Sequence, residues 1–134
     1  MTDSPMIEVG GKVAFVTGAA EGLGREIAKE IVAAGMRAAL FDVQTDKLTQ
    51  LSDELTAEGA DVQPFAVDLS DAEATQIAVN AAMEHFGTPR VLIHNAALLR
   101  EVLMLDVTFA DWRRETNIIL QAAFRCRLRT TPSR

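Results

Sequence analysis

From residue 12 onward, short apolar runs alternate with longer stretches in which apolar residues recur every three or four positions. The run KVAFVT (12–17) has the β-branched and aromatic content of a buried strand. Between Leu23 and Ala34, the residues Leu23, Ile27, Ile31 and Val32 fall at helical spacing, and Gly35 is placed to end that helix. RAALFDV (37–43) predicts a second strand. Leu48, Leu51 and Leu55 share one face of a second helix, with Thr45 as its cap and Gly59 as its stop. DVQPFAVD (61–68) predicts a third strand, and Pro64, which has no N–H to give a ladder, predicts that it lies at an edge. Ser70-Asp71-Ala72-Glu73 reads as a capping box opening a helix to about Phe86. RVLIH (90–94) predicts a fourth strand. A last amphipathic helix runs from Thr108 to about Arg127, entered near Asp111 and Trp112. Strands alternating with helices through short connections predict an α/β, doubly wound parallel sheet with helices on both faces.

Composition narrows what such a sheet does. With 134 residues the chain has room for one domain and a core, and its 49% hydrophobic content argues against disorder. No apolar stretch approaches the ~18 residues of a membrane span, so no membrane partner is expected. The opening MTDSPMIEVG is acidic and lacks an apolar segment, so it does not read as a secretory signal. One cysteine, Cys126, forms no intramolecular disulfide and suits a reducing cytoplasm. His85 and His94 stand far from any cysteine pair, so no zinc site is expected. A net charge of −6 makes nucleic acid a poor partner. The charge is uneven: no acid follows Glu115, whereas Arg125, Arg127, Arg129 and Arg134 fall in the last ten positions. We therefore divide the chain into an N-terminal tail (1–11), one α/β unit (12–124) and an Arg-rich tail (125–134).

The chemistry concentrates where the first strand turns into the first helix. A helix start offers unpaired amides and the positive end of its dipole, which attract phosphate. In TGAAEGLG (17–24), Gly18 permits a tight turn, Gly22 lets a ligand approach the backbone, and Gly24 lets the helix pack closely on the strand. Such glycines also occur in ordinary strand-to-helix turns. What points to a dinucleotide is the setting: strand before, helix after, and Asp42 at the end of the next strand, 24 residues beyond Gly18. A carboxylate there accepts hydrogen bonds from the ribose hydroxyls and repels a 2′-phosphate. A like-charge pair at ~4 Å costs ~1 kcal/mol in water and ~4 kcal/mol at a protein surface. Glu21 adds a second negative charge, and Val43 and Gln44 offer no cation. NAD is therefore expected in preference to NADP.

These residues resemble the short-chain dehydrogenase/reductase family. TGAAEGLG is similar to its TGxxxGxG loop, VDLS places Asp68 at its acid after strand three, and HNAA (94–97) falls at its NNAG. DWRRETNIILQAAF (111–124) falls at its helix with an internal Asn, here Asn117. The resemblance implies a Rossmann-like sheet, incomplete at about four strands in the order 3-2-1-4. It also implies a cofactor-binding set of Gly18, Gly22, Leu23, Gly24, Asp42, Asp68, Leu69, Asn95 and Ala96, with Asn117 at a proton-relay position. By this resemblance the activity is hydride transfer between an alcohol or ketone and a nicotinamide dinucleotide. His94 and Ala97 depart from NNAG; His94 reads as a half-buried strand histidine.

The family's Ser, Tyr and Lys have no counterpart in these residues. The chain has no tyrosine, its last lysine is Lys47, and its only serine beyond Ser70 is Ser133. A positioned proton donor is worth about 100- to 10,000-fold in rate, so no turnover is expected from this chain alone. RCRLRTTPSR (125–134) departs from the family, which suggests a truncation or reading-frame change near Phe124. Strand four would then be an exposed apolar edge, open to a homo-oligomer or another chain through 90–94 and 108–127. Three other readings stay open: an interaction module pairing with a full-length relative, a binder of another adenine ligand such as S-adenosylmethionine, and an unstable fragment without function.

Overall fold

The computed structural model describes residues 8–98 and 101–130. The expected tails therefore lie partly outside the described residues, at 1–7 and 131–134. The elements are β1 (Val13–Thr17), α1 (Gly22–Ala33), β2 (Arg37–Asp42), α2 (Thr45–Ala57), β3 (Val62–Ala66), α3 (Ala72–Phe86) and β4 (Val91–His94). A 3-10 turn (Met104–Asp106) follows, then α4 (Phe109–Thr116), one π turn (Asn117–Gln121) and α5 (Ala122–Thr130). All strand pairs are parallel, in the order β3-β2-β1-β4. Pro64 sits on β3 opposite Leu40, and β3 is an edge strand, where a missing N–H leaves no ladder bond unmade.

The side-chain alternation of a strand sorts the core onto two faces. Phe15 on β1 and Phe41 on β2 pack with Val79, Ala82 and Phe86 of α3 and with Ala122 and Cys126 of α5. Val16 and Leu40 point to the other face, against Ala28 of α1 and Leu48, Leu51 and Leu55 of α2. β1 is buried along its whole length, whereas every residue of β4 is half-buried.

Local capping differs from the sequence expectation at two helices, for the same reason. Thr45 is the first residue of α2 rather than its cap, and no side chain caps that helix. The turn is set instead by Asp42, whose Oδ1 accepts the Gln44 amide at 3.0 Å. At α3 the cap is Asp71, whose Oδ1 accepts the Ala74 amide at 3.0 Å, and not Ser70. Ser70 is engaged by Asp68, whose Oδ1 accepts both its amide (3.0 Å) and its hydroxyl (2.7 Å). In each case an aspartate at or just past the strand end takes the turn residues first. The last helix opens on a capping box between Thr108 and Asp111, and the π turn interrupts what the pattern reads as one regular helix.

Candidate cofactor site

Because the strands are parallel, their C-terminal ends and the loops that follow meet along one rim of the sheet. β2 and β3 lie on one side of β1 and β4 on the other, so the chain reverses direction across the sheet between β1 and β4. A crevice at this position is where open α/β sheets bind ligands. Here it is a cleft of about 420 Å³, lined by Gly18 and Glu21, Asp42–Gln44, Val67–Leu69, Asn95–Leu98, Arg114 and Ile118.

The glycine turn is held by close backbone contact. A Cβ on Gly24 would stand 2.0 Å from the Gly18 carbonyl oxygen, so no side chain fits between α1 and the turn. Gly18 has φ +68, and a Cβ there would lie 2.9 Å from the Ala96 amide nitrogen. Gly22 opens instead onto space with no protein atom within 4 Å of a Cβ position. No side chain caps α1, so its first amides remain for a ligand.

Thr17, fully buried at the end of β1, joins this turn to β4. Its oxygen accepts the amides of Asn95 and Ala96 at 3.1 Å each. With both lone pairs used, its proton goes to His94 Nδ1 at 2.9 Å. That network assigns His94 the tautomer carrying its proton on Nε2, which donates to the Ile118 carbonyl at 2.9 Å. His94 is thus a half-buried structural histidine, as its sequence suggested, and it anchors the π turn. Asn95 Nδ2 closes the circuit by donating to the Gly18 carbonyl at 3.3 Å. Ala97 lines the cleft without a positive φ, so alanine meets no backbone strain where the motif has glycine.

The carboxylates are fixed before any ligand arrives. Asp42 accepts the Ala20 amide at Oδ2 and the Gln44 amide at Oδ1, both at 3.0 Å. Each oxygen keeps a further acceptor site for a sugar hydroxyl. The Ser70 hydroxyl, then the Ser70 amide, hold the Asp68 carboxyl below its ordinary range, and the Arg114 charge adds to this. Glu21 is paired with Lys47 at the mouth, and hydrogen bonds from Lys47 and Gln44 lower its carboxyl too. Among the described residues no group of three or more His, Cys, Asp and Glu is placed to hold a metal ion. This donor set fits a dinucleotide: free amides and bare backbone for a diphosphate, anchored carboxylates for sugar hydroxyls and a base amine.

Of the residues named from the sequence, Gly18, Asp42, Asp68, Leu69, Asn95 and Ala96 line the cleft. Gly22, Leu23 and Gly24 do not line it; they form the start of α1 beside it, with Leu23 68% exposed. Asn117 is not brought to the cleft. It borders a separate recess with Ser70, Ala110, Arg113 and Arg114, while its neighbour Ile118 faces the cleft. Successive helical residues point about 100° apart, and spacing alone does not say which of them faces the ligand. Sequence reasoning missed Arg114 and Ile118, an i, i+4 pair whose role depends on where α4 crosses the rim.

The sequence model of the short chain dehydrogenase family matches residues 12–133. A trans-4-hydroxycyclohexanecarboxylate dehydrogenase of Sinomonas cyclohexanicum is 35% identical over 119 residues, which cover 84% of this chain and 46% of that protein. The chain thus spans about half the length of the curated relatives it matches. L-sorbose reductase from Gluconobacter frateurii, solved with NADPH and L-sorbose, superposes with a TM-score of 0.86 at 26% identity, over 91% of this chain and 47% of that one. A short-chain dehydrogenase/reductase from Burkholderia phymatum, solved with NAD, gives 0.84 at 31% identity, over 90% of this chain and 43% of that one. No described helix is long and apolar enough to cross a membrane. The family model spans the glycine turn and all four strands, and this chain belongs to the short-chain dehydrogenase family.

Proposed function

We propose that the chain is the dinucleotide-holding portion of an oxidoreductase that moves hydride between a nicotinamide and an alcohol or ketone, and that it prefers NAD to NADP. The observation that carries this reading is Asp42. Its carboxylate stands at the end of β2, pinned by two backbone amides and facing the cleft that begins at Gly18. The amides of Gly22, Leu23 and Gly24 at the start of α1 face the diphosphate, Asp42 takes the adenosine ribose, and Asp68 with Leu69 takes the adenine. Asn95 and Ala96 hold the β4 end of the cleft through Thr17. The nicotinamide supplies the hydride acceptor or donor when bound. This chain's own residues bind and orient it, but they include no tyrosine and no lysine beyond Lys47 to move the accompanying proton.

The selectivity follows from charge. A 2′-phosphate on the ribose would face a carboxylate that its backbone bonds keep from swinging away, at about 1–4 kcal/mol per close like-charge pair. Titration calorimetry with the two dinucleotides tests this. NAD is expected to bind tighter than NADP, and Asp42→Ala to narrow the gap. An equal or reversed preference in the unaltered chain removes the claim.

A further inference from the structure

Among the described residues lining the cleft, Arg114 is the one basic side chain, and the lining also presents Glu21, Asp42 and Asp68. Glu21 is occupied by Lys47, and Asp42 by two amides. Arg114 itself forms no ion pair among the described residues and is exposed. It borders the recess beside Ser70, and its charge reaches the Asp68 carboxyl. After β3, the apolar residues Val67 and Leu69 line the same cleft. Ile118, in the π turn that follows α4, adds an apolar residue to the lining.

A flat, weakly hydrated cation that forms no ion pair among the described residues, in a cleft that apolar residues also line, suits a flat aromatic ligand. We propose that Arg114 stacks on the face of the adenine ring, holding the base against Val67 and Leu69 while Asp68 meets its edge. This rests on the dinucleotide reading above and adds a base-recognition residue to it. The diphosphate belongs beside the glycine turn. The ribose 2′ position belongs beside Asp42, where Arg114 is not needed.

Calorimetry on the 134-residue chain with ADP-ribose, NAD and NADP tests the assignment. Arg114→Ala is expected to weaken all three by a common factor of about 3- to 30-fold, the range of a cation–π contact. Arg114→Lys keeps the charge but not the plane, and is expected to bind as weakly as the alanine variant. Arg113→Ala, which alters the neighbouring cation outside the cleft, is expected to stay within about twofold of the unaltered chain. Unchanged urea midpoints for all three variants show that exposed side chains were altered without loss of fold. Unchanged affinity in Arg114→Ala, full rescue by lysine, or a loss confined to NADP would each overturn the stacking role. Failure of the unaltered chain to bind any of the three ligands would instead overturn the dinucleotide reading.

Discussion

The α1–α2 face of the sheet and the α4 side of the molecule differ in how much apolar surface they close. Under α1 and α2, Leu40, Leu48 and Leu51 are all but inaccessible to water. From Val102 to Phe124, by contrast, Leu103, Met104, Leu105, Phe109, Trp112 and Leu120 stand in solvent, Leu105 at 98%. Exposed apolar residues on this scale leave that side of the molecule without a closed core. The cleft straddles the boundary between these two regions. Gly18 and Asp42 sit on the closed side; Asn95–Leu98, Arg114 and Ile118 sit on the open one. Stability therefore resides mainly in the first region, and the second shapes the ligand pocket without a finished core beneath it.

The largest effect expected from this contrast is on folding. Leu51→Ala removes a fully buried side chain and is expected to cost about 2–5 kcal/mol, read from urea denaturation. Leu105→Ala, on the open side, is expected to stay within about 0.5 kcal/mol. Similar losses at the two sites would abolish the distinction. A smaller effect is expected at the seam. Thr17→Val leaves the Asn95 and Ala96 amides without their acceptor, at about 1–3 kcal/mol for each amide left unpaired, and also releases His94. Dinucleotide affinity should fall along with stability; a loss of stability with unchanged affinity would show that β4 does not shape the cleft.

The smallest effect refines the comparison from within α5. Cys126 is buried against α3, and that burial pushes its thiol from 9.0 up to about 11. Between those values the unfolded chain gives up the proton while the folded chain keeps it. Stability should therefore fall as pH rises across that window, and Cys126→Ala should flatten the slope. Thiol labelling in the same window should report unfolding only. Rapid labelling of the folded chain would mean that α5 is as open as the segment before it.

Much of this was legible in the residues. Alternation of apolar runs with helical spacing marks all four strands, Pro64 marks the edge, and the glycines with Asp42 mark the mouth of the cleft, because each signal is local. What was not legible depends on competition or on crossing geometry. Ser70 and Thr45 have the chemistry of caps, but Asp68 and Asp42 reach those turns first. Asn117 has a suggestive spacing, yet it is Ile118 that faces the cleft, on a helix interrupted by a π turn. Arg114 carries no local signal at all, since only the path of α4 over the rim brings it to the cleft.

The most direct test maps the amides at the mouth of α1 by nuclear magnetic resonance while NAD is titrated into the chain. The amides of Gly22, Leu23 and Gly24, with those of Ala20 and Gln44 that hold Asp42, are expected to shift together and saturate at one equivalent. Saturable binding that leaves these five unmoved, or no binding at all, would contradict the account.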